Sequence, residues 1–532
     1  MNRNIHALLV NIPVAVLSGL LLAHFGHASW IILREVHILN CGEGINLLAS
    51  TKLLHRAPLY ADIHQPPYDF YVYGPVYPAA GALAITLVGP GLLALRLVTI
   101  AGELLTCAYA FRLMVGSQVR RRVAAGATAL LLGVFSFHKF HALARVDFLM
   151  MGLGMAGAFY FLRYEARGQR RDLAALVIAF TLAALTKMTA VLWLPVCGLY
   201  ALIRLLRSTG KDRSSALRSL VGAAIATPTF GVVFILVSYA TGGELYRHQV
   251  RYQALTGFAW DQGGSLLRSF LLSFGGLLLA AAVAAPFARR HLFICLQLVS
   301  TSAWFVASSF KNGSDVNYYI EAVTWMVLTL AVSFDPIVGA LSRRLRGRAT
   351  GLAPAVALVG IVLALSTSVR AGLSLRDYFK MRTRGTDAAG HAQKARSMGA
   401  SEEVARRLPP PPLDLLDEPA RADRAMLYRL VRETEGEILA EDPYFAVASG
   451  KPHLLADSFL GVILMERGVL QPDPLVRACA DGRLQRVFAG FRIKAIPGML
   501  DVLNREYRVI YETTTPVMDS YITVYEHKGR GG

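Results

Sequence analysis

The sequence predicts a polytopic α-helical membrane protein that carries a small α/β domain at its C-terminal end. Two observations predict the membrane part. Of 532 residues, 54% are hydrophobic and only 17% are charged, where a soluble domain holds about 25% charged residues. Apolar runs of about 18 residues or more recur as far as residue 370. The third observation predicts the appended domain. Residues 372–532 hold 23 basic and 22 acidic side chains, whereas residues 1–371 hold 32 and 14, so nearly all of the net charge of +19 lies in the apolar part. This pattern excludes a collagen, a coiled coil, a disordered tail, a small disulfide scaffold and a single soluble domain.

The first apolar run, residues 7–25, follows Arg3 and has no small-residue cleavage pattern, so it reads as an uncleaved first helix with its N-terminus in the cytoplasm. Basic clusters at 120–122, 163–171, 204–218, 289–290 and 343–348 then mark the cytoplasmic face. Between successive clusters lie two apolar runs joined by a short polar connection, at 138–147, 186–187, 241–264 and 310–319. Those connections fall on the outer face, with the long first loop, residues 34–73. Residues 76–88, opened by Pro75 and closed by Gly89-Pro90, read as a helix lying partly in the interface. A last run, 352–369, carries the chain outward. The sum is about 11 crossings, and 11–13 membrane helices.

The expected organisation is thus a transmembrane domain over 1–371, a polar linker over 372–425 and an extracytoplasmic α/β domain over 426–532. In that last domain, 436–441, 486–493, 507–513 and 521–527 read as strands, and 459–467 and 473–481 as helices. A pI near 9.9 would suggest nucleic acid in a soluble protein. Here the basic clusters are orientation signals, so membrane lipids are expected partners and nucleic acid is not. The five cysteines are scattered, and no pair has metal-ligand spacing.

Ionisable groups at a membrane edge are costly, so their positions carry information. The topology gathers Glu43, Asp62, Arg145, Asp147, Lys187, Lys311, Asp315 and Glu321 on the outer face. Cations beside carboxylates suit a lipid-phosphate substrate, the cations holding phosphate while a carboxylate handles a proton.

The same segments resemble a known family. The first loop reads Glu43-Gly44-Ile45-Asn46, then Ala57-Pro58-Leu59-Tyr60-Ala61-Asp62, then Tyr71-Val72-Tyr73-Gly74-Pro75-Val76-Tyr77-Pro78. Ala144-Arg145-Val146-Asp147, Leu185-Thr186-Lys187-Met188-Thr189 and Gly313-Ser314-Asp315-Val316-Asn317-Tyr318-Tyr319-Ile320-Glu321 follow in order. The tail segment Leu439-Ala440-Glu441-Asp442-Pro443 belongs to the same series. Together they resemble the GT-C superfamily of glycosyltransferases, of the protein O-mannosyltransferase and aminoarabinose-lipid A transferase type. Two departures are visible. His55-Arg56 replaces a glycine before Ala57, and Gly42 stands where an acid usually precedes Glu43.

The resemblance implies a GT-C-like fold in the inner membrane of a bacterium. It implies transfer of a hexosyl or pentosyl group from a polyprenyl-phosphate-linked donor to a hydroxyl of a lipid, protein or glycan acceptor. The expected route is inverting direct displacement on the outer face. Glu43 carries over as the base and Asp147 as a second acid. Arg145, Lys187 and Lys311 are candidates for the phosphate, and Tyr60, Asp62, Tyr73, Asn317, Tyr318 and Glu321 for further substrate contacts. No cofactor is implied with certainty, and a divalent metal is not favoured, since the closest types work without one.

Bland readings stand beside these. Glu43 suits the N-terminal turn of a helix over 45–54, Arg145 and Asp147 a local ion pair, and Lys187 a snorkelling side chain. His138 and His141 read as interfacial, and Glu103, inside an apolar run, has no evident partner. A transporter or flippase of a lipid-linked sugar is the competing function, although the chain shows no internal hydropathy repeat of the kind transporters carry.

Overall fold

The computed structural model describes residues 3–64, 67–138, 140–344, 418–515, 517 and 520–529. The expected crossing at 352–369 and most of the expected linker lie outside the described residues.

Seven helical segments are long and apolar enough to cross a membrane. They fall in α1 (Arg3–Arg34), α4 (Leu92–Gly116), α8 (Trp193–Arg207, with the turn before it), α9 (Lys211–Ala240), α12 (Trp260–Ala284), α13 (Leu292–Ser309) and α14 (Tyr319–Arg344). Helices α5 (Arg121–Ser136), α6 (Asp147–Arg167) and α7 (Arg170–Thr186) lie between them in the chain. They are shorter than 18 residues or charged near an end, which is why apolarity alone passes over them. The stretch expected in the interface is α3 (Val76–Val88), a helix too short to span a bilayer.

Helix α6 is central, packed along α4 and α7. Its approach to α4 depends on glycine: a Cβ on Gly102 would lie 2.5 Å from the Leu149 nitrogen, and one on Gly152 would lie 2.8 Å from the Gly102 oxygen. Small residues at such crossings let helix backbones meet closely where there is little hydrophobic drive between them. Aromatic rings fill the neighbouring space. Trp193 and Trp325 are buried with ring centroids 5.5 Å apart.

Glu103 has a partner after all. Buried in α4, it faces the Nδ1 of His141 at 3.1 Å and accepts the Ala142 N–H at 3.2 Å. The other ring nitrogen of His141 lies 3.1 Å from the Ser29 hydroxyl. This polar knot joins α1, α4 and the loop after α5, so His141 is an interior residue and not an interfacial one.

The two ends of the bundle differ in how their polar groups pair. At one end the basic clusters pair locally, Arg163 with Asp172 at 3.1 Å and Arg204 with Glu165 at 3.2 Å. At the other end the polar connections meet one another. Asn46 donates to the Ala144 carbonyl at 2.8 Å, Gly74 N–H to Thr186 at 3.2 Å, and His138 Nε2 lies 3.0 Å from the Val316 carbonyl. Two short helices, α10 (Glu244–Tyr246) and α11 (Tyr252–Ala254), joined by a π-helical turn over Arg247–Arg251, complete this end.

The C-terminal domain sits on the same end. Its four-stranded sheet has the order β1-β2-β4-β3, with β1 (Leu439–Ala440) parallel to β2 (Arg486–Ala489). Strands β4 (Thr523–His527) and β3 (Tyr507–Glu512) continue it antiparallel. Helices α15 (Glu418–Glu433), α16 (Tyr444–Ala448), α17 (Ser458–Glu466), α18 (Asp473–Ala480), α19 (Phe491–Lys494) and α20 (Met499–Glu506) surround it. Helix α15 begins at Glu418, inside the stretch read as linker. The strand read over 486–493 ends at Ala489 because of a contact from far along the chain. Buried Glu441 accepts the N–H groups of Gly490, Arg492 and Ile493, turning that backbone into α19.

The first loop joins the domains. Tyr68 N–H donates to the Leu454 carbonyl at 2.9 Å, and Ala456 N–H returns to Tyr68 at 3.0 Å. The next residue, Asp69, receives His453 Nε2 at 2.6 Å and the ammonium of Lys52. Tyr444 also donates to the Val36 carbonyl at 3.0 Å.

Candidate active site at the junction of the two domains

The first loop carries helix α2 (Cys41–Leu54), capped by the Asn40 side chain accepting the Gly42 N–H at 3.0 Å. Glu43 lies in its first turn with no exposed surface. Oε1 receives Arg96 Nε at 2.8 Å and the Ala144 N–H at 3.0 Å; Oε2 receives Arg96 Nη2 at 2.9 Å and the Leu39 N–H at 2.8 Å. Burial alone would raise this carboxyl; the Arg96 guanidinium overrides it and holds Glu43 below the usual carboxylate range. With each oxygen accepting two donors, Glu43 has the geometry of an anchor.

A second cluster centres on Asp147, the first residue of α6. Its Oδ1 accepts Lys187 Nζ at 2.7 Å and Asn317 Nδ2 at 2.8 Å, and its Oδ2 lies 3.7 Å from Arg145 Nε. Lys187 is buried, so it does not snorkel, and its ammonium stands 4.6 Å from the centre of the Tyr318 ring. Arg145 reaches outward from this cluster. Its Nη1 donates to Asn40 Oδ1 at 3.2 Å, its Nη2 to the Tyr73 hydroxyl at 3.4 Å, and its guanidinium lies 4.7 Å from the Phe140 ring centre.

Arg145 and Tyr73 open onto a cavity of about 780 Å³ between the membrane helices and the C-terminal domain. The membrane side contributes Asn40, Gly42, Arg145, Arg268 and Asp315 to its wall, and the C-terminal domain contributes Glu441, Asp442, Asp457 and Arg492. The volume is that of a small-molecule site. Among the described residues no three His, Cys, Asp or Glu side chains stand together as a metal ion would need.

The structure therefore brings Tyr73, Arg145, Asp147, Lys187, Asn317 and Tyr318 into one network, with Glu43 behind it through the Ala144 N–H. Tyr60 supports it indirectly, donating to the Tyr73 carbonyl at 2.8 Å. Three expected residues hold hydrogen-bond partners outside it. Asp62 is exposed and accepts the His64 N–H. Glu321 accepts Trp193 Nε1 at 2.8 Å inside the bundle. Lys311 donates to Gln253.

Arg96, Arg268, Asp442, Asp457 and Arg492 were missed. Arg96 and Arg268 each interrupt an apolar run, and the cost of that placement was the available signal. Asp442 stood in the tail motif without a role assigned to it, and Asp457 and Arg492 gave no signal, because contacts across domains leave no spacing in the sequence.

Two outcomes follow. Glu43→Gln leaves the Arg96 charge buried without its partner and should destabilise the protein by about 3–5 kcal/mol. Glu43→Leu combined with Arg96→Met should recover much of that loss, read as thermal unfolding in detergent; a Glu43→Gln protein as stable as wild type contradicts the anchor. Lys311 tests the electrostatics of the loop. Burial, and after it the Lys187 ammonium, push the Lys311 ammonium down to about 8. The folded state therefore disfavours the charged form, a penalty complete below pH 8 that fades as the pH climbs toward the ordinary lysine value. The stability advantage of Lys311→Met over wild type should be largest near pH 7 and smaller by pH 9.5. An advantage independent of pH would contradict this.

With this geometry in view, the comparisons with known proteins are informative. Residues 72–233 match the family model for dolichyl-phosphate-mannose-protein mannosyltransferases. The structure resembles ArnT from Cupriavidus metallidurans bound to undecaprenyl phosphate, with 14% identity and a TM-score of 0.53 over 95% of this chain and 97% of that one. It resembles the apo state of the same protein with 16% identity and a TM-score of 0.54 over the same shares. No curated protein matches in sequence. The chain is a multi-pass membrane protein with the fold of the GT-C superfamily of membrane glycosyltransferases.

Proposed function

We propose that this protein transfers a sugar from a polyprenyl-phosphate-linked donor to a hydroxyl of a lipid, protein or glycan acceptor, in the cavity between its two domains. The observation that carries the reading is that cavity, with the Arg145 guanidinium at its wall and the Asp147–Lys187 pair behind it. A fold shared with a protein whose structure holds undecaprenyl phosphate supports it, as does the matched family, whose name is that of dolichyl-phosphate-mannose-dependent enzymes. In this reading the cavity faces the outer side of a bacterial inner membrane, with the N-terminus in the cytoplasm, and the basic clusters at the opposite end of the bundle support that orientation.

The chemistry is direct displacement. The acceptor oxygen attacks the anomeric carbon, the bond from that carbon to the phosphate oxygen breaks, and polyprenyl phosphate leaves with inversion. A phosphate departs readily when its growing charge meets positioned cations. Arg145 offers a planar fork suited to phosphate oxygens, and Arg268, exposed on α12 at the cavity wall, offers a second. Asp147 works in this reading as a positioning residue, since Lys187 and Asn317 already engage its Oδ1. Glu43 has the same character: it fixes Ala144 and so the start of the segment that presents Arg145.

The test is transfer of radiolabel from a panel of polyprenyl-phosphate sugars by the purified protein in lipid. Arg145→Gln should lower transfer by about 10²–10³-fold, the usual scale for removing one donor from a developing oxyanion, and should also weaken binding of polyprenyl phosphate. Retained binding with no transfer from any donor in the wild type would favour transport of a lipid-linked sugar instead.

A further inference from the structure

The two carboxylates that sequence reasoning offered as acids are both engaged elsewhere. Glu43 has each oxygen filled by two donors and is absent from the cavity wall. Asp147 is held at Oδ1 by Lys187 and Asn317, its Oδ2 has no hydrogen-bond partner among the described residues, and it too is absent from the wall. Where α2 reaches the cavity it presents Gly42 and Ile45, and a Cβ on Gly42 would lie 1.8 Å from Arg145 Nη1. The guanidinium fills the place of any side chain at that position. The membrane-side wall at α2 therefore presents a cation.

Carboxylates come from across the cavity. Glu441 is consumed as the cap of α19, and on the membrane side Asp315 caps its own turn through the Val316 N–H. Asp442 is buried and packs against α2, where its Oδ1 would lie 1.9 Å from a Cβ on Gly44. Asp457 is half-buried, and its Oδ1 accepts the Leu460 N–H at 3.0 Å as the cap of α17. Asp315 is half-buried on the wall as well, but it stands on the membrane side; Asp457 is the half-buried acid that the C-terminal domain brings to the wall, within electrostatic reach of Arg145.

We propose that Asp457, supplied by the C-terminal domain, is the base that takes the acceptor's hydroxyl proton, opposite the Arg145 that meets the departing phosphate. The inference rests on the proposed transfer reaction and extends it. The acceptor oxygen forms its bond to the anomeric carbon as the carbon–oxygen bond to phosphate breaks, the electron pair leaving on polyprenyl phosphate. The O–H proton passes to the Asp457 carboxylate and then to water. Burial lifts this carboxyl above the usual range, while the Leu460 N–H, Arg492 and Arg145 pull it down, and Asp442 lies close enough to sense its charge. A carboxylate raised in this way is a better proton acceptor than an exposed one. The C-terminal domain then has a stated role: it closes the cavity and brings the base.

The experiment uses the full chain in lipid. Asp457→Asn keeps a capping oxygen for Leu460, because asparagine caps helices as well as aspartate, so the fold should persist. Transfer from the active polyprenyl-phosphate sugar should fall by about 10²-fold or more, binding of polyprenyl phosphate should stay within about threefold of wild type, and Asp457→Glu should restore part of the rate. Transfer by Asp457→Asn within about threefold of wild type overturns the proposal and leaves the glycosyltransferase reading standing. A wild type that binds polyprenyl phosphate yet transfers from no donor in the panel overturns both.

Discussion

A buried arginine near the start of α4 is the constraint on which the rest of the structure depends. Arg96 has no exposed surface, and such a charge persists in a protein interior only when its donors are matched. Here they are matched by both oxygens of Glu43 and by the backbone carbonyls of Ile32, Glu35 and His37. One guanidinium therefore fixes the end of α1, the approach to α2 and the first turn of α2. Glu43 passes the order onward through the Ala144 N–H, and the next residue is Arg145. The arginine at the cavity wall is thus placed by another arginine that never reaches it.

The second consequence is a division of charge across the junction. The cations Arg145 and Arg268 outnumber Asp315 on the membrane side, which Asp147, Lys187 and Asn317 stiffen from behind, and the carboxylates Glu441, Asp442 and Asp457 outnumber Arg492 on the C-terminal domain. Neither half makes the cavity alone. The first loop, paired by its backbone to 454–456 and clamped at Asp69 by His453 and Lys52, holds the halves together. A displacement reaction needs this polarity, with positive charge where phosphate departs and a proton acceptor where the nucleophile enters.

Much of the fold was legible in the sequence because its signals are local. Apolar runs give the long membrane helices. The alternation of short runs gives β3, β4, α17 and α18 within a residue or two. The failures are non-local. The strand over 486–493 was cut short by Glu441, whose carboxylate lies about 50 residues away in the chain. Glu103 gained its partner from His141, and α15 extended into residues that composition marked as linker. The site divides in the same way. Motif residues Tyr73, Arg145, Asp147, Lys187, Asn317 and Tyr318 converge as their order in the chain suggested. Which of their oxygens and nitrogens remain open to a substrate depends on Arg96 and on the C-terminal domain, and neither is visible in a motif.

The most direct test of the account is a structure of the protein with polyprenyl phosphate bound. The phosphate should lie inside the junction cavity, its oxygens within hydrogen-bonding distance of the Arg145 guanidinium. Glu43 should keep its bonds to Arg96. A phosphate bound outside the cavity, or one held by a Glu43 side chain swung away from Arg96, would contradict this.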